Sequence, residues 1–229
     1  DILKNTKNLA RILSYQKKIV TLRDYSTMNT TMETNLGIKA SVNKVGALLE
    51  YICSQMPHIH LRKLLKVIYL IDEKSVRERA IPLLWLDYYA WKKGPVAPSI
   101  YEVKEGAFSD YVTCVKESDT KWYVSAKKKS LYAIDKDLKA FSAYEMDIIN
   151  SVIAYCKDKS ADDLTDETHQ DNSLWSQTVS RHNIVFDETG RSKYPICLND
   201  LNDAEGKEVY ADALDSIMMQ ASLNSSLHV

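Results

Sequence analysis

Very few residues in this chain have the types and the spacing that catalysis or metal binding requires. His58 and His60 lie near Cys53, but a His-x-His pair without a second ligand pair is weak evidence, so we expect no metal site. Glu102 and Lys104 have the Glu-x-Lys spacing of restriction-type nucleases. The sequence around them predicts a helix, however, whereas that kind of site needs a strand.

Sequence patterns for nucleotide binding and for the common hydrolases are absent. The chain has no Gly-x-Gly-x-x-Gly, no Walker-type phosphate loop, no Gly-x-Ser-x-Gly and no His-Glu-x-x-His. His169 is the remaining candidate for a nuclease or a hydrolase, and a hydrogen-bonding histidine near a helix end is the structural alternative. We therefore expect a protein that is not an enzyme and that needs no cofactor.

The composition is typical of a globular protein. The 229 residues are 45% hydrophobic and 27% charged with a net charge of −1, so we expect no nucleic acid partner. The four cysteines are far apart in sequence, which is typical of reduced thiols in a cytosolic protein. No apolar run reaches transmembrane length, and the first residues lack the apolar core of a secretion signal. These features predict a cytoplasmic protein without a membrane partner.

Charge and hydrophobic spacing divide the chain into three predicted parts. Residues 1–40 carry a basic amphipathic helix over 2–22 and then a polar linker. Residues 41–186 contain most of the helix and strand signals, and residues 187–229 form an acidic helical segment. The basic front and the acidic tail indicate two ends with different roles, or two ends that contact each other.

The pattern within 41–186 predicts an α+β domain that is predominantly helical, with a small antiparallel β-sheet or hairpin. Apolar spacing predicts helices over 41–56 and 61–80, and a short helix capped by Ser99. Two capping signals, "SAYE" and "SADD", start further helices at Ser142 and Ser160. Residues 83–91 are predicted as a buried strand, and residues 111–126 as a hairpin about a Ser-Asp-Thr turn.

The segment "AWKKGPVAPSIY", residues 90–101, is unusually stiff for a chain with five prolines and six glycines. Pro95 and Pro98 fix φ near about −65° and remove two backbone donors. Gly94 permits a backbone conformation that other residues resist. We predict a rigid turn that supports partner contacts by four residues: Trp91, Lys92, Lys93 and Tyr101.

Three segments in order resemble the Panacea, or SocA-like, antitoxin domain, which also occurs in phage-associated proteins. They are "LRKLLKVIYLID" (61–72), "WLDYYAWKKGPVAPSIYE" (85–102) and "FSAYEMDIINSVIAYCKDKSADDLTDETHQDNSLW" (141–175). Lys93 departs from the family's usual Tyr, and Leu174 from the Pro before its Trp. The residues that fit the motifs are Lys63, Leu64, Lys66, Tyr69, Ala90, Trp91, Gly94, Pro95, Val96, Pro98, Tyr101, Leu164, Thr165, Thr168, His169 and Trp175.

The resemblance implies an antitoxin that neutralises a toxin encoded by a neighbouring gene through direct protein–protein binding. Alternatives are an adaptor that delivers the toxin to an ATP-dependent protease, and a DNA-binding transcriptional regulator, for which no helix-turn-helix is evident. A homo-oligomer remains open, and we expect the flanking extensions to contribute to toxin choice.

Two sets of site residues follow from this interpretation. The candidate partner-binding residues are Trp91, Lys92, Lys93, Tyr101, His169 and Trp175. The residues assigned to structural support are Lys63, Tyr69, Gly94, Pro95, Pro98 and Thr168.

Overall fold

Residues 31–127 and 138–226 are described by a computed structural model, so the predicted basic helix over residues 2–22 lies outside the described residues. The predicted polar linker is partly ordered as strands β1 (Thr31–Glu33) and β2 (Lys39–Ser41), which pair with each other. Gly37, with a φ of 72°, and a 2.9 Å bond from its amide to the Thr34 carbonyl close the turn between them. Local hydrogen bonding therefore orders a segment whose composition alone indicates a loop.

Two long helices begin at side-chain caps. Helix α1 (Val42–Gln55) begins at Ser41, whose hydroxyl accepts a bond from the Lys44 amide at 3.2 Å, as predicted. After the short strand β3 (Ile59–His60), helix α2 (Leu61–Arg79) begins at His60. Nδ1 of His60 accepts a hydrogen bond from the Arg62 amide at 3.1 Å, so this histidine caps helix α2.

Helix α2 is the centre of the fold, because helices, strands and a 3-10 turn pack around it. Its predicted apolar stripe is buried throughout, and the core includes Leu64, Ile68 and Ile71. The helix also buries Lys66 and Asp72, which its apolar periodicity does not predict.

Asp72 fixes the chain that follows α2. Its carboxylate accepts bonds from the amides of Leu83 and Leu84 and from the Tyr88 hydroxyl, each at 2.8 Å. Burial raises the pKa of Asp72 to about 6. Because these bonds and a positive φ of 57° at Trp85 break the extended backbone, the strand predicted over 83–91 begins only at Tyr88.

Two three-stranded antiparallel sheets flank α2. The first has the order β5–β4–β8, built from β4 (Tyr88–Trp91), β5 (Gly94–Val96) and β8 (Pro195–Ile196). The second has the order β3–β7–β6 and contains the predicted hairpin, as β6 (Val112–Ser118) and β7 (Lys121–Ala126). Strand β8 lies beyond the predicted 41–186 segment and pairs with β4. Residues outside that segment therefore complete the sheet that carries the β4–β5 hairpin.

The helix after β5 differs from prediction at its cap. Helix α3 (Pro98–Tyr101) begins at Ala97, not Ser99, and continues as a 3-10 turn over Glu102–Glu105. Pro98 is its first residue, where a missing amide hydrogen costs nothing, so no side-chain cap is needed. The segment around Glu102 and Lys104 is helical rather than the strand that a Glu-x-Lys nuclease site needs.

Four further helices complete the described chain. Both predicted capping boxes are present, Ser142 with Glu145 at the start of α4 and Ser160 with Asp163 at the start of α5. The helices are α4 (Ala143–Cys156), α5 (Ala161–Thr168), α6 (Leu174–His182) and the acidic α7 (Ala204–Ser226). The fold is α+β and predominantly helical, as predicted, and no described helix has both the length and the apolarity to span a membrane.

Candidate functional site

The hairpin formed by β4 and β5 turns through two exposed residues, Lys92 and Lys93. Gly94 follows with a φ of 99°, which confirms that it adopts a conformation that side chains resist. A Cβ at this position would collide with Nζ of Lys66 and lie 2.9 Å from Oγ1 of Thr168. Glycine is therefore required both for the backbone conformation and for the space beneath the hairpin.

Lys66 lies under the hairpin with only 1% of its surface exposed. Its ammonium donates to the Pro95 carbonyl at 3.1 Å, and this is its only hydrogen bond within the described residues. Burial, with a smaller contribution from Arg62, holds the pKa of Lys66 well below its usual value. Lys66 thus joins α2 to β5 through one backbone carbonyl, without a carboxylate partner in the described chain.

A stacked pair of rings holds the α5–α6 corner against the hairpin. His169, at the C-cap of α5, stacks on Trp175 of α6 with ring centroids 3.6 Å apart. The Trp175 indole nitrogen donates to the carbonyl of Trp91 at 2.8 Å. Thr168 turns inward, and its hydroxyl bonds carbonyls of its own helix at 3.0 and 3.1 Å. These contacts fix the backbone of Trp91 against the α5–α6 corner.

The environment of His169 favours its neutral form. Burial, followed by the nearby charges of Lys66 and Lys93, lowers the pKa of His169 to about 4. Its Nε2 is buried and has no hydrogen-bond partner among the described residues. His169 is therefore a neutral ring packed between Trp175 and a cationic neighbourhood.

The other face of the hairpin carries an aromatic pair and an arginine. Trp91 meets Tyr101 edge-to-face with ring centroids 5.1 Å apart. The Arg191 guanidinium lies 5.0 Å from the Trp91 centroid and 5.5 Å from that of Tyr101, within cation–π range of both rings. Lys104 lies 4.4 Å from the Tyr101 centroid.

Trp91, Tyr101 and Arg191 line a cleft of about 650 Å³, which we call the basic cleft. Its lining also includes the start of α2, the first residues of β7 with the turn before them, and residues 188–190. Six cationic side chains line it: Arg62, Lys66, Lys92, Lys93, Lys121 and Arg191. Among the residues that the structure describes, the carboxylates that line it are Asp119 and Glu188.

Within the described part of the chain, most cations of the basic cleft have no carboxylate partner. Arg62 pairs with Asp162 at 2.7 Å, and Asp119 pairs with Lys116, also at 2.7 Å. Within residues 31–127 and 138–226, no ion pair involves the other lining cations, namely Lys66, Lys92, Lys93, Lys121 and Arg191. The cleft therefore presents positive charge that the described chain does not neutralise.

A second cleft, of about 640 Å³, lies between α2, α4 and the α5–α6 corner, and we call it the paired cleft. Its charges pair with one another or with adjacent side chains. Arg77 bonds Glu73 at 2.6 Å, and Lys74 bonds Glu78 at 2.5 Å. Glu167 accepts from Lys159 at 2.9 Å.

The structure brings the six candidate partner-binding residues into one region. Trp91, Lys92, Lys93 and Tyr101 line the basic cleft, whereas His169 and Trp175 are not among its lining residues and support Trp91 from behind. Direct contact of His169 and Trp175 with a partner therefore stays a prediction. Within the fold the two rings stack on each other, and Trp175 donates to the Trp91 carbonyl.

The residues assigned to structural support are spread more widely. Gly94, Pro95 and Thr168 meet at Lys66, and Pro98 starts α3. Tyr69 is 1% exposed and packs edge-on against Tyr88. Lys63 donates to the Lys157 carbonyl at 2.8 Å and so joins α2 to the end of α4.

Sequence reasoning missed two important side chains. Lys66 fits the family motif, yet no role was predicted for it; a lysine inside the apolar run "LLKVIYLI" is the signal that it is buried. Arg191 lies far from the motifs in sequence, and no local pattern indicates that it contacts Trp91. Among the described residues, no three His, Cys, Asp or Glu side chains are grouped to hold a metal ion.

Comparison with known proteins is consistent with this geometry. Residues 64–176 match the family model described as Antitoxin SocA-like, Panacea domain. A search of curated proteins returned no match. The matched residues include the buried Lys66, the β4–β5 hairpin and the His169–Trp175 stack. Over residues 64–176 the chain is therefore similar to the SocA-like, Panacea antitoxin domain.

Proposed function

We propose that this protein is an antitoxin that neutralises a cognate toxin, encoded by a neighbouring gene, by direct protein–protein binding at the basic cleft. The observation that carries the proposal is the set of cleft cations without carboxylate partners in the described chain, arranged around Trp91 and Tyr101. Tryptophan, tyrosine and arginine are the residues that most often dominate the energy of protein interfaces. The family assignment supplies the toxin as the expected class of partner.

The architecture of the hairpin supports this choice of surface. The hairpin is held by close packing of Gly94 over Lys66, by the Lys66 bond to the Pro95 carbonyl and by the Trp175 bond to the Trp91 carbonyl. The hairpin tip and the rings therefore have fixed positions before a partner binds. A surface that is ordered in advance loses less conformational entropy on binding. The proposal is stoichiometric binding and includes no catalytic step.

A growth assay tests the proposal directly. The neighbouring gene is expressed in a bacterial host alone, with this chain, or with a Lys92→Glu/Lys93→Glu variant. We expect arrest by the neighbour alone, growth with the wild-type chain, and loss of protection with the variant. A Lys139→Glu/Lys207→Glu variant makes the same charge change at exposed lysines outside the cleft and should still protect.

Toxin recovery then separates binding from delivery to a protease. A stoichiometric complex on pull-down, with unchanged toxin abundance, supports direct neutralisation. Toxin abundance that falls when the chain is present and recovers in a host without the protease would replace it with the adaptor function. A harmless neighbour, or an unprotected host, would overturn the antitoxin proposal.

A further inference from the structure

We infer that the basic cleft recognises an acidic segment of its protein partner, and that Arg191 is the specificity-determining residue that receives a carboxylate of that segment. This inference rests on the proposed function, because it names the chemistry by which the toxin would be held. It adds a residue outside the 64–176 family match to the recognition surface.

The first support is the environment of the Arg191 guanidinium. It lies near the faces of Trp91 and Tyr101, and no ion pair involves it among the described residues. A guanidinium that packs on rings keeps its N–H edge available for a carboxylate, which it binds with two parallel bonds. The rings therefore position the cation without neutralising its charge.

The second support is the backbone that carries Arg191. The Asp187 side chain accepts bonds from the Thr189 hydroxyl at 2.6 Å and from the Gly190 amide at 3.1 Å. The Thr189 hydroxyl accepts from the Arg191 amide at 3.2 Å. The Gly190 carbonyl accepts from the Lys92 amide at 2.7 Å, which ties this turn to the hairpin. Arg191 thus projects from a hydrogen-bonded turn attached to the cleft.

The third support is the charge around Arg191. Lys92 and Lys93 at the hairpin tip and Lys121 on β7 line the same cleft and have no ion pairs in the described chain. A partner that carries several carboxylates in sequence would meet several of these cations at once. Charge complementarity of this kind sets specificity and association rate.

The same geometry argues against nucleic acid as the occupant. Single-stranded nucleic acid needs open aromatic faces on which bases stack. Arg191 lies against Trp91, and Tyr101 has both Arg191 and Lys104 within cation–π range. The chain as a whole carries a net charge of −1, so no overall positive field attracts a polyanion.

Binding of defined probes to the full chain tests this chemistry. The probes are a fluorescein-labelled peptide in which glutamate alternates with serine, the same peptide with glutamine for glutamate, and labelled oligothymidylate. We expect the glutamate peptide to bind at low salt about tenfold more tightly than either control probe, and Arg191→Gln to remove most of that advantage. Arg191→Lys should retain part of it, since the charge remains but the planar fork is lost. Lys207→Gln is the control outside the cleft.

Three results would overturn the inference: equal binding of the glutamine peptide, tighter binding of oligothymidylate, or an Arg191→Gln protein that binds like wild type. The growth assay keeps the two proposals distinct. Protection by wild type that persists in an Arg191→Glu variant overturns this inference and leaves the antitoxin function intact. Absence of protection by wild type overturns the function itself, whatever the peptide result.

Discussion

The basic cleft and the paired cleft have almost the same volume, about 650 and 640 Å³, and both are lined by several charged side chains. They differ in what those charges contact. In the paired cleft Arg77 and Lys74 each bond a glutamate one helical turn away on α2. In the basic cleft Arg191, Lys92 and Lys93 have no such partner within the described residues.

This difference shows that cleft size does not identify an interaction surface in this protein. Exposed ion pairs one turn apart on a helix contribute little free energy and satisfy the charges locally. Cations that rest on rings or on a turn, without an ion pair among the described residues, keep their electrostatic attraction for a partner. Variants of the hairpin, of the His169–Trp175 stack and of the paired cleft test whether the basic cleft differs from the paired cleft in its supporting contacts and in its unpaired charge.

The largest effect is expected from Gly94→Ala, which damages the floor of the basic cleft. The new Cβ meets Lys66 and Thr168 and requires a positive φ, so we expect a loss of roughly 3–5 kcal/mol in the free energy of unfolding. Urea denaturation measures it. Gly106→Ala is the matched control, because Gly106 has the same φ of 99° and nothing within 4 Å of its Cβ position. Equal losses in the two variants would mean that the contact with Lys66 is unimportant.

The next effect concerns His169 and depends on pH. Because the pKa of His169 is lowered to about 4 in the folded chain, its contribution to stability is present above pH 6.5 and is lost as the pH falls towards 4. Relative to His169→Phe, which keeps a stacked ring, wild type should lose roughly 1–2 kcal/mol between pH 7 and 4, after allowance for partial solvent screening. Asp72 titrates in the opposite direction over part of this range, but it is common to both proteins and cancels in the difference. Parallel pH profiles would show that His169 is not held neutral.

Trp175→Phe should have a smaller effect. The variant keeps an aromatic ring beside His169 but loses the bond to the Trp91 carbonyl, which we expect to cost about 1 kcal/mol. Trp85→Phe is the comparison, since Trp85 packs on Tyr210 and makes no hydrogen bond through its indole in the described chain. Thermal or urea unfolding of both variants isolates the bond. A larger loss of unfolding free energy in Trp85→Phe than in Trp175→Phe would show that the bond to the Trp91 carbonyl does not make Trp175 the more important of the two tryptophans for stability.

The smallest effect is expected in the paired cleft. The Arg77 side chain is 54% exposed and its ion pair within the described residues is with Glu73, so Arg77→Gln should change the free energy of unfolding by less than about 0.5 kcal/mol. The variant should also protect cells as well as wild type does, whereas Arg191→Glu should not. Loss of protection in Arg77→Gln would remove the contrast between the two clefts.

Local features were predictable from the sequence because they depend on residues close together in the chain. The Ser142 and Ser160 capping boxes and the β6–β7 hairpin are examples. The same reasoning failed at Ser99, because Pro98 is the first helical residue and the cap is Ala97, two residues before Ser99. Periodicity also identified the buried stripe of α2.

Features that depend on tertiary contacts were not predictable. The burial of Lys66 depends on a glycine 28 positions later, and the placement of Arg191 depends on a turn that joins the tip of the hairpin. The stiff segment over residues 90–101 nevertheless pointed to Trp91, Lys92, Lys93 and Tyr101, four residues that do line one cleft. It did so without indicating which charges would lack partners.

The middle residue of β5 has a consequence for how any partner can bind. Strand β5 is an edge strand of its sheet and is itself buried, whereas exposed edge strands commonly recruit another strand by main-chain bonding. Pro95 has no amide hydrogen to offer, and its carbonyl already accepts the Lys66 ammonium. Strand addition is therefore blocked at the centre of this edge, so sheets of separate molecules are prevented from merging here. A partner that binds at the hairpin, as we propose, would be recognised there by side chains, which a mutation on either protein can change one residue at a time.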